Sequence, residues 1–277
     1  MNTTLNIAYL TIRETQRRRI MWAAFALGIA FLVVFTLGFH FVYEDVSTSR
    51  MGSDETELIA GFLLIAGLNA VNLLIIVMSV LTSVTTISGE IESHTVDTLV
   101  TKPIRRWELV LGKWLGYAGM LIVYIAILAG GIVLIVYLIS GITVENPLPG
   151  IALMMLQGMI VLSISILGGT RLSTLANGVV AFMLYGVAFL SSWVEQIGAF
   201  LKNETAVNIG IITSLIMPSE IVWKRASALF QPNLQGNPMI GPFSLSSRPS
   251  DIMMWYAVGY AITLLLLALW SFSRRDL

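Results

Sequence analysis

LIAGFLLIAGLNAVNLLIIVMSVLTSVTTI, residues 58–87, runs for thirty residues without a charged side chain. As one α-helix at 1.5 Å per residue it reaches about 45 Å, while the hydrocarbon core of a bilayer is about 30 Å thick. Lipid offers no hydrogen bonds, so a lone apolar run satisfies its backbone only by coiling into a helix. The stretch therefore reads as a transmembrane helix that tilts, or that projects into the cytoplasm through its hydroxyl-rich end, Thr82 to Ser88.

Five further stretches behave alike, at about 20–42, 114–139, 151–168, 175–193 and 252–272, and none of the six contains Asp, Glu, Lys or Arg. They do not alternate in polarity, which argues against a β-barrel. Across the 277 residues, 56% are hydrophobic and 12% charged, against about 25% charged in a soluble domain. Mean hydropathy is +0.84. Too little polar surface exists to coat a water-soluble body. A net charge of zero gives no field to draw nucleic acid. With no cysteine, disulfides, thiolate metal sites and cysteine nucleophiles are excluded. The first apolar run is too long for a signal-peptide core and should remain in the mature protein.

Lys and Arg set the orientation. With the N-terminus in the cytoplasm, eleven of the sixteen fall on the inner side, among them Arg13, Arg17–Arg19, Arg105, Arg106, Lys113, Arg171, Arg274 and Arg275. Of the outer five, Lys202, Lys224, Arg225 and Arg248 share one long loop, where the rule is weak. The tryptophans fall near span ends, as an aromatic belt does. Both termini are expected in the cytoplasm of a multi-pass protein of the cell (inner) membrane.

Two flanking segments depart from a plain bundle. Residues 1–19 mix Leu5, Ile7, Tyr9, Leu10 and Ile12 with a basic end, the pattern of a short helix lying on the cytoplasmic face. A merely solvated basic start fits as well. Residues 194–252 hold five of the eight prolines and a short apolar run, Ala206 to Met217, closed by Pro218. That run is too short to span and reads as re-entrant or interfacial. Residues 1–277 then form one membrane domain: the interfacial helix, spans one to five within 20–193, the outer segment 194–252, a sixth span at 253–272 and a tail at 273–277.

Ionisable groups inside a membrane usually mark ion or proton paths, and the six stretches have no Asp, Glu, Lys or Arg, with His40 at the outer end of the first. This counts against a carrier that couples to protons or sodium through mid-membrane carboxylates. No catalytic constellation and no metal-ligand cluster stands out, and His40 reads as an interfacial histidine. Asn69 and Asn72, one turn apart in the second span, either line a polar pathway or hydrogen-bond between helices, the second being the commoner use. The small-xxx-small pairs Ala24–Gly28 and Gly112–Gly116 suit close helix contacts.

The second cytoplasmic loop is the informative segment: ISGEIESHTVDTLVTKPIRRWELVLGKWLG, residues 87–116. Glu90, Glu92 and Asp97 precede Lys102, Arg105 and Arg106, with the acids placed to favour a helix N-terminus. Ile91, Thr95, Thr98 and Leu99 recur at helical spacing until Pro103 stops the helix. The spacing predicts a short amphipathic helix between spans two and three, parallel to the membrane.

This loop resembles that of the ABC-2 type permeases, especially the nitrous-oxide-reductase maturation permeases (NosY-like). Their pattern, roughly I-x-G-E-x-E-x-G-T-L, then P, a basic residue and L-L-G-K, is carried here by Ile87, Gly89, Glu90, Glu92, Thr95, Leu99, Pro103, Arg105, Leu111, Gly112 and Lys113. His94 stands where glycine is usual, and Val96 replaces the common leucine. The resemblance implies an all-α, six-span, type V exporter-like fold. It implies that the loop carries a coupling helix (Glu90, Ile91, Glu92, Thr95, Thr98, Leu99, Lys102, Pro103) docking on a separate ATPase. It further implies two ATPase and two permease copies, ATP and Mg held by the ATPase, no cofactor in this chain, and an outer segment able to receive an accessory protein. The phosphate-cradling G-x-x-x-x-G-K-[ST] is missing from this sequence. Export of a hydrophobic or amphipathic substrate is the expectation. The alternatives are a secondary carrier or channel, a complex maturing a periplasmic metalloenzyme, or a scaffold that moves nothing.

Overall fold

A computed structural model describes residues 3–17, 19–48, 52–84, 89, 105–231 and 249–274. Among these residues all regular structure is helical: α1 Thr3–Arg17, α2 Arg19–Thr48, α3 Ser53–Val84, α4 Arg106–Ser140, α5 Pro147–Gly169, α6 Thr174–Phe200, α7 Glu204–Ile216, α8 Ser219–Phe230 and α9 Asp251–Ser273. Six helices, α2 to α6 and α9, are long and apolar enough to cross a membrane. Five of them each contain one of the stretches read from the sequence, and α3 takes in residues 58–84 of the sixth, whose last three residues lie outside the described ones. The helices are longer than the stretches, because a helix continues past the hydrocarbon edge wherever capping allows. α4 starts at Arg106, where the sequence places the start of the helix that enters the membrane past Lys113, with Glu108 accepting from the Arg105 N–H at 3.3 Å. It ends at Gly141, whose φ of 71° suits a glycine terminator. α6 runs on to Phe200, well past 193.

Thr170 and Ser271 hydroxyls lie 2.9 Å apart, and Arg171 Nε donates to Ser271 Oγ at 3.0 Å. The end of α9 is thereby tied to the turn between α5 and α6; this end of the bundle is called basal, the opposite one apical. Trp114 Nε1 donates to Ser163 Oγ at 3.0 Å, linking the first turns of α4 to the last turns of α5. So α4 also begins at the basal end.

α5 is the central helix. Ile160 to Ile166 are buried in unbroken succession, as in a helix surrounded by others; it packs on α3, α4, α6, α8 and α9. α2 is peripheral, burying Met21, Gly28 and Phe39 while Val34 and Phe41 are about two-thirds exposed. An apolar face of this kind suits lipid. Buried hydroxyls of α3 return to their own helix: Ser79 donates to the Ile75 carbonyl at 2.7 Å and Ser83 to that of Ser79 at 2.6 Å.

α1 packs on the basal start of α4. A Cβ on Gly112 would stand 2.7 Å from Ile7 Cβ and 2.9 Å from the Thr4 carbonyl oxygen; one on Gly116 would stand 2.9 Å from the Ala8 oxygen. Such spacing requires glycine. α1 buries Ala8, Thr11 and Thr15 in this crossing and leaves Leu5, Tyr9 and Leu10 exposed. The Ala24–Gly28 pair makes a similar contact, with Gly28 against Leu128 and Tyr124 of α4.

Candidate functional site

The site begins where α6 ends. Leu201, Lys202 and Asn203 reverse the chain, with Lys202 at a φ of 52°. Asn203 Oδ1 then caps α7, accepting from the Thr205 and Ala206 N–H groups at 3.1 and 3.2 Å. α7 folds back along α6, and Gly210 fits so closely that a Cβ there would stand 2.5 Å from Glu195 Cβ. Pro218 cannot continue the ladder, and α8 leaves α7 at 106°. The carbonyls stranded at the end of α7 are met by α9: Tyr256 donates to the Leu215 oxygen at 2.6 Å and Tyr260 to that of Ile216 at 2.8 Å. α8 ends with Phe230 against Gly150, in the first, apical turn of α5. The pair therefore starts and ends at the apical end. The apolar run read at 206–217 and its stop at Pro218 correspond to α7 and the break.

α8 is short but buried on nearly every side. It carries Glu220 and Lys224, 3% and 5% exposed, into the protein. Lys224 Nζ donates to Glu195 Oε2 at 2.6 Å. Tyr185 of α6 lies beside both Glu220 of α8 and Asn72 of α3. A chain of polar contacts thus joins α3, α6 and α8 through five side chains. Tyr185 lies fifteen residues, about 22 Å of helix, before the apical end of α6. The bend at Pro218 is what delivers Glu220 to that depth.

These groups border a cavity of about 310 Å³ between α3, α6 and α8. Asn69, Asn72, Tyr185, Glu220 and Lys224, with Ser192, Gln196 and Ser227, give its polar lining; Phe189, Trp193 and Trp223 give its aromatic wall. Leu73 and Phe189 at its rim are 56% and 42% exposed. Two acceptors, Asn72 Oδ1 and Glu220 Oε1, are buried without a hydrogen-bond partner.

The sequence-derived sites divide. Asn69 and Asn72 both line the cavity. Asn69 Nδ2 turns back to the Ile65 carbonyl of its own helix at 2.9 Å, while Asn72 is buried beside Tyr185 of α6. The coupling residues Glu90, Ile91, Glu92, Thr95, Thr98, Leu99, Lys102 and Pro103 lie outside the described residues. His40 is exposed, its ring 3.6 Å from Glu44. Trp193 and Trp223 belong to the cavity wall, so these two are more than a belt.

Sequence reasoning missed the charges. It found no Asp, Glu, Lys or Arg in the six stretches, but the fifth helix extends to take in Glu195, and α8 brings Glu220 and Lys224 alongside. The interior of the described bundle therefore does hold charge, at Glu195, Glu220 and Lys224. A signal was present: Glu220 and Lys224 stand four apart, a helical pairing distance, just after a proline that ends an apolar run.

A search of curated proteins finds no match. The family model described as ABC-2 family transporter protein matches residues 5–277, a range that takes in the α1–α4 crossing, all six long helices and the α7–α8 pair. The chain belongs to the ABC-2 family of transporter proteins and is a multi-pass membrane permease component of an ABC transporter.

Proposed function

We propose that this permease exports a hydrophobic or amphipathic substrate, driven by ATP hydrolysis in a separate ATPase subunit. The working unit has two ATPase copies and two permease copies in the inner membrane, with both permease termini cytoplasmic. The observation that carries the reading is the family match over residues 5–277, in a chain without a phosphate-cradling loop of its own.

The basal end then faces the cytoplasm. The segment between α3 and α4, with Glu90, Glu92 and Leu99, receives the ATPase as a coupling helix. α3 and α4 continue that segment covalently, and α1 braces the start of α4. From Val84 at the basal end of α3 to Asn72 on the cavity wall is twelve residues, about 18 Å of unbroken helix. A displacement at the coupling segment reaches the cavity through that rod. On this reading α7 and α8 form a re-entrant hairpin from the outer side, a rigid wall against which α3 moves.

The test is co-purification of the permease with its ATPase, followed by Glu90→Ala with Glu92→Ala. Loss of assembly, or of coupled ATPase turnover, is expected. Unchanged assembly and coupling in the double variant would sink the assignment. A chain that purifies without any ATPase, yet transports in proteoliposomes, would return the secondary-carrier reading. Recovery of a periplasmic metalloenzyme-assembly factor, without transported cargo, would favour a maturation complex.

A further inference from the structure

We infer that the groove where α1 meets α2 and α4 seats an acyl chain of an anionic phospholipid, with the lipid phosphate held by Arg17 and Arg19. The groove has a volume of about 270 Å³. Its lining is apolar apart from Gln16 and the Trp22 indole N–H, and that N–H is already spent on the Gln16 carbonyl at 2.8 Å. Met21 and Met120 are buried at its base, while Trp22 and Val123 are 64% and 52% exposed at its mouth. Gly119 keeps it open: a Cβ there would meet nothing within 4 Å, whereas at Gly112 and Gly116 of the same helix α1 lies in direct contact. α1 thus covers α4 as far as Gly116, and the groove is the space left beyond. Its mouth opens on the outside of a membrane bundle, where an acyl chain is the apolar group at hand.

Charge selects the lipid. Residues 12–20 carry Arg13, Arg17, Arg18 and Arg19 against Glu14 alone. Arg17 directly follows the lining residue Gln16, and Arg19 stands two before Met21. Both are exposed, and neither has an ion-pair partner among the described residues. Arg13 is held over the Tyr9 ring at 4.7 Å. A guanidinium grips a phosphate through two parallel N–H groups, and each basic side chain near a membrane surface adds attraction to anionic lipid. A zwitterionic lipid fills the groove equally well, but its ammonium offsets its phosphate before a basic rim. A protein partner needs far more buried surface than a groove of this size offers. The inference uses the membrane placement of the chain and is independent of what the permease carries.

The experiment reconstitutes the full chain, with any ATPase that accompanies it, in nanodiscs of phosphatidylcholine in large excess over phosphatidylglycerol. The protein is then extracted into mild detergent, and the lipids it retains are counted by native mass spectrometry. About one phosphatidylglycerol per chain should survive, enriched at least about tenfold over its share of the bilayer. Arg17→Gln with Arg19→Gln should cut that enrichment by about tenfold or more; Arg13 and Arg18 remain to hold the orientation. Gly119→Leu should displace the lipid by filling the groove. It meets no neighbour at its Cβ, and leucine suits a helix better than glycine. Gly38→Leu, equally unobstructed and outside the groove, should leave retention unchanged. No enrichment, equal retention of the two lipids, or retention indifferent to the arginine pair or to Gly119→Leu overturns the inference. Dimers that Gly119→Leu turns into monomers, with no lipid retained, would assign the groove to a second copy and overturn it likewise. The comparison of the two lipids on the unaltered protein stands even if a variant fails to fold.

Discussion

Replacing Lys224 with Met keeps most of the side chain's length but removes the cation that pairs with Glu195 and acts on Glu220. The contact with Glu195 is 2.6 Å, and the two side chains are only 6% and 11% exposed. Exposed ion pairs are worth about 0–1 kcal/mol because water screens them. This pair is buried, and removing one partner of a buried pair costs about 3–5 kcal/mol, mostly from the charge left behind. Lys224→Met strands Glu195 and also takes the nearest cation from Glu220, so the upper part of that range is expected. Glu195→Gln strands less, since Lys224 keeps Glu220 nearby, and should cost visibly less than Lys224→Met. The double variant, Glu195→Gln with Lys224→Met, leaves no isolated charge on that pair and should recover part of the loss. The assay is denaturant unfolding of the purified protein in detergent micelles, followed by tryptophan fluorescence and analysed as a double-mutant cycle. If Lys224→Met lies within about 1 kcal/mol of the unaltered protein, the pair behaves as an exposed one. The buried network described above would then be wrong.

The α1–α4 crossing predicts that Gly116→Val is destabilising by about 1–3 kcal/mol through overpacking; its Cβ would meet the Ala8 oxygen at 2.9 Å. Limited proteolysis should cut α1 more readily in that variant. Tyr256→Phe and Tyr260→Phe each remove the donor to a carbonyl at the end of α7, at a cost of about 1–3 kcal/mol apiece where the carbonyl is shielded from water. Hydrogen exchange should rise at the end of α7 and stay unchanged in α2. Gly210→Leu places a side chain where Glu195 Cβ would be 2.5 Å from the new Cβ. Parting α7 from α6 in this way should lower stability, whereas Gly38→Leu, with nothing within 4 Å of its Cβ site, should not.

The six long helices were legible because lipid imposes a rule that acts locally. A run of about twenty apolar residues must satisfy its own backbone wherever it sits, so 58–87 announces α3 without knowledge of any neighbour. The same holds for the break at Pro218, a matter of one ring and one missing N–H. Glycine spacing at Gly112 and Gly116 announced a close contact, but not that α1 would make it; that depends on which helix the basal end brings near. The coupling segment is known from its residues alone.

The cavity was half legible. Asn69 and Asn72 stand out in an apolar run because polar groups there need a reason. Glu195, Glu220 and Lys224 did not, because each sits in sequence among loop-like neighbours, where a charge needs none. Lys224 and Glu195 are 29 residues apart. Their contact depends on a reversal at 201–203, on the fit of Gly210 against α6, and on a 106° turn after α7. Local pattern determined that this protein lives in a membrane and how many times it can cross. Whether a charge is buried depends on what else arrives beside it, and that was decided only by the tertiary structure.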